Sequence, residues 1–154
     1  MDEATRDPGF ERPSQHGAAP ALETSLTLNS DGSRIAQARH LAAALLSKAK
    51  VRYGIPVAAA TVEIVQLIVS ELVTNARKYA PGPARLHLRV TGPVLRVEVW
   101  DSNPMAPAVK APDPTRVGQH GLEIVAALAR TVSVEHTPLG KRIAADVILS
   151  PTSA

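Results

Sequence analysis

The sequence predicts an α+β domain, a two-layer α/β sandwich with helices on one face of a mixed, mainly antiparallel sheet. Two observations predict this fold class. Segments of alternating apolar and polar residues follow one another across short turns, which is typical of antiparallel hairpins. Segments whose apolar residues recur three and four positions apart lie between these strand pairs. Helices separated in this way from hairpins cover one side of a sheet.

The first half of the chain contains a tail, one strand and two helices. Residues 1–24 mix Pro and Gly with scattered charges and follow neither period, which predicts a flexible tail before a folded domain at 25–150. Alternation at 25–29 predicts a short strand. Apolar residues with helical spacing predict helices over about 34–51 and 57–79, each followed by Gly and Pro.

The second half of the chain contains the hairpins and one long loop. Residues 85–90 and 94–101 alternate strictly across Thr91-Gly92-Pro93, which predicts a hairpin. Residues 102–117 are rich in Pro and follow no period, and a loop of this length in a compact domain is typical of a lid or binding loop. The remaining predicted elements are a helix over 122–129 and strands over 131–135 and 142–149.

Length and composition favour one soluble domain. The 154 residues, 45% of them hydrophobic, suffice for one core, and the absence of Cys excludes disulfides and thiolate metal sites. No apolar run approaches the roughly 18 residues of a membrane span and the start of the chain is polar, so we expect a cytoplasmic protein without a membrane partner. A net charge of +3 without a dense Lys/Arg block favours no direct nucleic-acid partner.

The second predicted helix places polar groups on its core-facing side. At about 100° per residue, a separate solvent arc collects Glu63, Gln66, Ser70, Thr74 and Arg77. Glu71, Asn75 and Lys78 lie off this arc, in line with Ile64 and Ile68. In one interpretation, Glu71 and Asn75 are bonded to a neighbouring loop at the helix edge. In the other they face a cleft, with Glu71 as a base or water-orienting group and Asn75 as an oxygen ligand for Mg²⁺.

Two further features favour the cleft. Asp101 has the same parity as the apolar residues of its strand, so its carboxylate points inward. Gly118 and Gly121 lead into a helix, where exposed N–H groups and the positive end of the helix dipole can bind phosphate. The alternative explanation of the two glycines is a loop that needs positive φ. A metal ligand, a buried acceptor for a base and a phosphate cradle together predict a purine nucleotide site.

Three motifs occur in a fixed order along the chain. They are residues 71–76 (Glu-Leu-Val-Thr-Asn-Ala), 97–102 (Val-Glu-Val-Trp-Asp-Ser) and 118–125 (Gly-Gln-His-Gly-Leu-Glu-Ile-Val). They resemble the N box and the two glycine boxes of the histidine-kinase-like ATPases, the GHKL superfamily. The resemblance covers about residues 25–149 and is strongest to bacterial anti-sigma-factor serine/threonine kinases. It implies the Bergerat-type ATP-binding fold.

The resemblance implies a role for each residue within a motif. Glu71 would be the catalytic base that activates a serine hydroxyl on a partner protein. Asn75 would coordinate the Mg²⁺ that bridges the phosphates of ATP, and Asp101 would accept a hydrogen bond from the adenine amine. The other predicted ATP-binding residues are Lys78, Asn103, Gly118, His120, Gly121 and Leu122. From the residues alone, Lys78 pairs either with Glu71 or with ATP, and His120 either contacts phosphate or is an exposed loop side chain.

The predicted function is that of an ATP-binding regulator of the anti-sigma-factor kinase type, with ATP and Mg²⁺ as cofactors. Its expected partner is an anti-anti-sigma protein of the STAS type; a sigma factor is a further candidate partner, and a homodimer is a candidate assembly. The sequence departs from the family pattern at Met105, which replaces the second glycine of the first glycine box, and at residues 141–143, where relatives often have a small hydroxyl residue. The alternative function is a non-catalytic interaction module with a degenerate or weak nucleotide pocket.

Overall fold

The computed structural model describes residues 22–28, 34–79, 83–101 and 121–151, with only the backbone described at 77–79. The predicted tail as far as residue 21 and the predicted loop at 102–117 lie outside this part of the chain. The described elements, in chain order, are β1 (Leu22–Leu28), α1 (Ile35–Tyr53), α2 (Ala59–Tyr79), β2 (Ala84–Thr91), β3 (Val94–Asp101), α3 (Gly121–Leu128), β4 (Thr131–Thr137) and β5 (Gly140–Ile148).

The described strands form one sheet in the order β1-β2-β3-β5-β4, and every neighbouring pair is antiparallel. The turn between β2 and β3 contains Gly92 with φ of 56°, a left-handed conformation that glycine adopts without a Cβ clash. The last strand, β5, lies between β3 and β4. The predicted α+β sandwich is therefore confirmed, and the sheet is antiparallel throughout the described strands.

Alternation along each strand separates an inner face from an outer face of the sheet. On β3, Leu95, Val97 and Val99 are buried, whereas the intervening side chains are half-buried or exposed. The inner face is covered by helices, with α2 in contact with β3 and with both α1 and α3. The α2 side chains with almost no exposed surface are Val65, Ile68, Val69, Leu72 and Val73. Because burial of each such side chain contributes about 1.5–3 kcal/mol, α2 is the centre of the core.

β1 begins at Leu22, earlier than the predicted start at Ser25. Leu22 is buried and pairs with Val90, and this register continues to the pairing of Leu28 with Ala84. Leu22, Glu23 and Thr24 are buried, exposed and half-buried in turn, so the alternation of the strand includes them. Pairing with β2, which is a tertiary contact, extends the strand into the segment that sequence analysis assigned to the tail.

α2 also corrects the expectation that no segment could span a membrane. Over Ala59–Ala76 it is long and apolar enough by length and composition, and it is the one helix within the described ranges that meets this criterion. The core helix of a folded domain has the same properties, and the buried side chains of α2 belong to the hydrophobic core. Just before α2, the Ala58 N–H donates to the Leu149 carbonyl at 2.9 Å, which attaches the start of the helix to the end of the sheet.

Candidate functional site

Asn75 has a buried oxygen that the described residues leave unsatisfied. The residue is 8% exposed, and its Oδ1 atom has no hydrogen-bond partner among the side chains and backbone that the structure describes. A buried acceptor without a partner costs about 1–3 kcal/mol. Glu71, one helical turn earlier, is half-buried. Both side chains therefore lie at least partly inside the domain, as expected for the inner side of α2.

The predicted solvent arc of α2 is only partly exposed. Gln66 donates from Nε2 to the Arg39 carbonyl of α1 at 3.2 Å, and the Ser70 hydroxyl donates to the Gln66 carbonyl at 2.9 Å. Thr74 is half-buried as well. Helical periodicity separates this arc from the core, but the packing of α1 beside α2 covers part of it.

Gly121 opens α3 directly beside the Glu71 carboxylate. Gly121 is buried, and a Cβ added to it would lie 2.7 Å from Oε1 of Glu71. The close approach of the Glu71 carboxylate to the backbone of α3 therefore depends on the missing side chain of Gly121. The first N–H groups of a helix have no partner within the helix and mark its positive dipole end. The N box and the second glycine box, which are far apart in sequence, therefore meet at the first turn of α3.

The side chain of Leu122 is not positioned to contact a ligand. Its side chain is half-buried and packs against the hydrophobic core. The group that Leu122 can offer to an anion is therefore its backbone N–H in the first turn of α3.

Asp101 ends β3 with its side chain on the inner face, as predicted, and lies opposite Lys141 of β5. Lys141 Nζ is 3.7 Å from Asp101 Oδ2, and the two side chains are 3% and 2% exposed. The sequence identified Lys141 as a departure from the family pattern but not as a neighbour of Asp101. The sequence did contain a signal for the inward position of Lys141, because this residue has the same parity as the inward apolar residues of β5. Only the pairing of β3 with β5 places the two charges together.

The remaining predicted site residues cannot be compared with the structure. Lys78 is described by its backbone alone, and Asn103, Gly118 and His120 lie outside the described residues. Among the residues that are described, α2 contacts both β3 and α3. The three sequence motifs are thus arranged around one helix.

The outer face of the sheet carries a separate network of charges. Arg96 donates from Nε and Nη2 to the two carboxylate oxygens of Asp146, at 2.9 and 3.0 Å. The Thr131 hydroxyl donates to the same carboxylate at 3.0 Å. Burial raises the pKa of Asp146, but the hydrogen bonds from Arg96 and Thr131 outweigh it and hold the pKa below its usual range. Arg142 pairs with Glu98 at 2.8 Å beside this group.

A cavity of about 470 Å³ lies on this outer face. It is lined by His87, Arg89, Thr91, Val94, Arg96, Glu98 and Asp146. None of these residues belongs to the predicted nucleotide site, which lies on the opposite, helix-covered side. A second cavity of about 340 Å³ lies near the strand ends and includes Asp101 in its lining, together with Trp100 and Leu139.

A comparison with known protein families shows which family the chain belongs to. The sequence model of the family described as the histidine kinase-like ATPase domain matches residues 28–146. The chain belongs to this family. All three motifs of this histidine kinase-like ATPase domain lie within the matched range.

Solved structures similar to this histidine kinase-like ATPase domain include the crystal structure of the RsbU and RsbW domains of Rv1364c from Mycobacterium tuberculosis. That match has a TM-score of 0.60 and 19% sequence identity over 85% of this chain, and it shows the fold. The chain spans 32% of the length of that solved chain. The histidine kinase domain of the Erythrobacter litoralis EL346 blue-light activated histidine kinase matches with a TM-score of 0.44 and 26% identity, over 58% of this chain and 45% of that one. No curated protein matches the sequence.

Proposed function

We propose that this histidine kinase-like ATPase domain binds ATP with Mg²⁺ and acts as a serine/threonine kinase of the anti-sigma-factor type. The observation that carries the proposal is the buried Oδ1 of Asn75, which has no partner among the described residues and lies one turn from Glu71. A free oxygen ligand, a carboxylate and a helix N-terminus are parts of a phosphoryl-transfer site, where catalysis rests on positioning and electrostatics.

Asn75 fits the role of a Mg²⁺ ligand. Mg²⁺ prefers oxygen ligands, usually keeps several waters, and is commonly held by one or two side chains together with substrate phosphates. Among the described residues there is no group of three or more His, Cys, Asp or Glu side chains that could hold a metal. When bound, Mg²⁺ would neutralise charge on the phosphates.

Glu71 would be the base in the transfer step. Its carboxylate accepts the proton of a serine hydroxyl on the partner as the serine oxygen bonds to the γ-phosphorus, and the bond from that phosphorus to the ADP oxygen breaks. Such a base must come within about 2.6–3.2 Å of the hydroxyl oxygen. The short distance between the Glu71 carboxylate and Gly121 supports this role, because the first turn of α3 is where the phosphates would bind.

Asp101 and the glycine box would hold the nucleotide. The Asp101 carboxylate accepts from the adenine amine at the end of β3. The N-terminus of α3, with Gly118, Gly121 and the Leu122 N–H, surrounds the phosphates. Lys78, Asn103 and His120 complete the set of proposed ATP contacts.

The partner would be an anti-anti-sigma protein of the STAS type, with a sigma factor as a second partner, so that the protein would regulate transcription in the cytoplasm. The motif resemblance to anti-sigma-factor kinases supports this class. The shared fold with a solved chain that contains an RsbW domain is consistent with it. A homodimer is the proposed assembly.

A second candidate function is a non-catalytic interaction module. The observation that favours it is the contact between Asp101 and Lys141, which gives the proposed adenine acceptor an ionic partner within the chain. In that case the fold would be kept for protein binding and nucleotide affinity would be weak or absent.

The experiment that tests the proposal is calorimetric titration of the protein with a non-hydrolysable ATP analogue, with and without Mg²⁺. We expect binding that depends on Mg²⁺ and is lost in Asn75→Ala. Thr74→Ala, one residue earlier on the same helix, is the matched control and should bind as the wild type does. If the wild-type protein did not bind the analogue, the proposed nucleotide site would be excluded and the interaction module would remain as the candidate function. Normal ATP affinity in Asp101→Ala would exclude the adenine contact.

A further inference from the structure

The pair formed by Lys141 and Asp101 is unusual because both charges are inside the domain. The two residues are direct partners across β3 and β5, on the inner face of the sheet. Their side chains are 3% and 2% exposed, so solvent does not supply their hydrogen bonds. Desolvation of two charges is costly and is repaid only when further hydrogen bonds satisfy their remaining donors and acceptors.

The geometry of the contact leaves hydrogen-bonding capacity on the ammonium group. Lys141 Nζ is 3.7 Å from Asp101 Oδ2, which is longer than the 2.7–3.2 Å of an N–H···O hydrogen bond. The contact is therefore an ion pair at close range rather than a direct hydrogen bond to that oxygen. An ammonium has three N–H donors and no acceptor, whereas an ionised carboxylate has only acceptors. Together the two groups present an acceptor and a donor side by side.

This arrangement complements one edge of adenine. The Watson–Crick edge of adenine has the N6 amine, a donor, beside N1, an acceptor. A carboxylate alone can satisfy the amine but not N1. A donor on the neighbouring strand, on the same face of the sheet as the carboxylate, can satisfy N1 at the same time.

We propose that Lys141 is a base-recognition residue, whose Nζ donates to N1 of adenine while Asp101 accepts from the N6 amine. The inference rests on the proposed function, because it requires that ATP binds with its base at the end of β3. It assigns to Lys141 a direct contact where the family pattern has a small hydroxyl residue. The buried ion pair would then contribute to nucleotide recognition as well as to the stability of the fold.

A nucleotide analogue tests this contact without a change in the protein. In 1-deaza-ATP the N1 atom is replaced by a C–H group, so the N6 amine remains and the acceptor is lost. The wild-type protein should bind ATP about tenfold or more tightly than 1-deaza-ATP, since a hydrogen bond to a charged group contributes at least this much. Both affinities are measured by calorimetric titration in the presence of Mg²⁺.

Variants identify the donor. Lys141→Met has a side chain of similar length without a donor, and its ratio of ATP to 1-deaza-ATP affinity should fall to about one. Lys141→Arg keeps a donor and should retain the discrimination. The matched control is Arg142→Met, which removes the neighbouring positive charge on the outer face and should leave the ratio unchanged. A thermal melt of each variant shows whether it is folded.

The outcomes separate this inference from the proposed function. Equal affinity of the wild type for ATP and 1-deaza-ATP would overturn the role of Lys141 and leave the ATP site intact. Unchanged discrimination in a folded Lys141→Met protein would do the same, because the donor would then be another group. If the wild type binds neither nucleotide, the proposed function fails and the inference fails with it. If Lys141→Met does not fold, the wild-type comparison and Lys141→Arg still decide.

Discussion

The carboxylate of Glu71 occupies the space where a side chain of Gly121 would begin. A Cβ at Gly121 would lie 2.7 Å from Glu71 Oε1, 3.8 Å from the carboxyl carbon and 3.9 Å from the Glu71 Cβ. The Glu71 carboxylate therefore lies against the first turn of α3 because residue 121 is glycine. This contact connects the proposed base with the proposed phosphate cradle.

Gly121→Ala should separate folding from catalysis. The new methyl group would displace the Glu71 carboxylate, which is the far end of a flexible side chain and can move at low cost. Alanine also loses less backbone entropy on folding than glycine, an effect of about 0.4–1 kcal/mol where the backbone conformation suits alanine, which offsets the strain. We expect a free energy of unfolding within about 1 kcal/mol of the wild type, together with a large loss of phosphoryl transfer. Urea denaturation and transfer of labelled phosphate to a partner protein measure the two effects.

Gly92→Ala is the matched control for that substitution. Gly92 has open space around the position of a Cβ but a φ of +56°, so alanine there is strained by backbone conformation alone. The control should lose about 1 kcal/mol of stability and keep nucleotide binding and transfer. If Gly121→Ala kept full phosphoryl transfer, the position of the Glu71 carboxylate against α3 would not be required for the reaction.

Glu71→Gln should remove transfer without removing ATP affinity. The amide keeps the size of the side chain but cannot accept a proton from a serine hydroxyl, and general base catalysis typically contributes about 10²–10⁴-fold to a rate. Calorimetry with an ATP analogue and a single-turnover transfer assay measure the two properties separately. Glu63→Gln, on the exposed side of α2, is the control and should behave as the wild type does. Full transfer by Glu71→Ala would exclude the base role.

Asn75→Ala should abolish Mg²⁺-dependent binding without a loss of stability. The substitution removes a buried oxygen that has no partner among the described residues, and this gain offsets the small cavity that it leaves. We expect a free energy of unfolding within about 1 kcal/mol of the wild type in the absence of ligand. Ile68→Ala, fully buried on the same helix, should by contrast lose about 2–5 kcal/mol. A loss of that size in Asn75→Ala would show that Asn75 has a structural role instead.

Asp146→Asn should change how stability depends on pH. The pKa of Asp146 is lowered in the folded state, so its ionised form stabilises the fold at pH values above the unfolded pKa of about 4. That contribution is lost as the pH falls through the lower folded pKa. We therefore expect Asp146→Asn to be less stable than the wild type at pH 7, with the difference closing in acid. Denaturation curves between pH 7 and pH 2 measure it.

Arg96 provides the control for the pH prediction. Its guanidinium donates two hydrogen bonds to Asp146, and the pKa of Arg96 is itself raised, chiefly by its hydrogen bond to Asp146. In an Arg96→Met background, the effect of Asp146→Asn should shrink, because the main cause of the lowered pKa is gone. An unchanged pH-dependent difference in that background would show that Arg96 is not the cause.

Most of the architecture could be predicted from local patterns. Alternation located β2 and β3, and helical spacing located α1 and α2, because each pattern reports which side of an element meets the core. The inward position of Asn75 followed from helical spacing and that of Asp101 from strand parity, and both side chains are buried in the structure. The predicted start of β1 was wrong because pairing with β2 extends the strand as far as Leu22.

The sequence by itself determined the fold class, the three motifs and the side of each element on which Glu71, Asn75 and Asp101 lie. Only the tertiary structure decided what these groups face. The pairing of β3 with β5 placed Lys141 beside Asp101, and the packing of α3 on α2 placed Gly121 against Glu71. Side-chain periodicity fixes a direction within one element, whereas the neighbour in that direction depends on register and packing between segments that are distant in the chain.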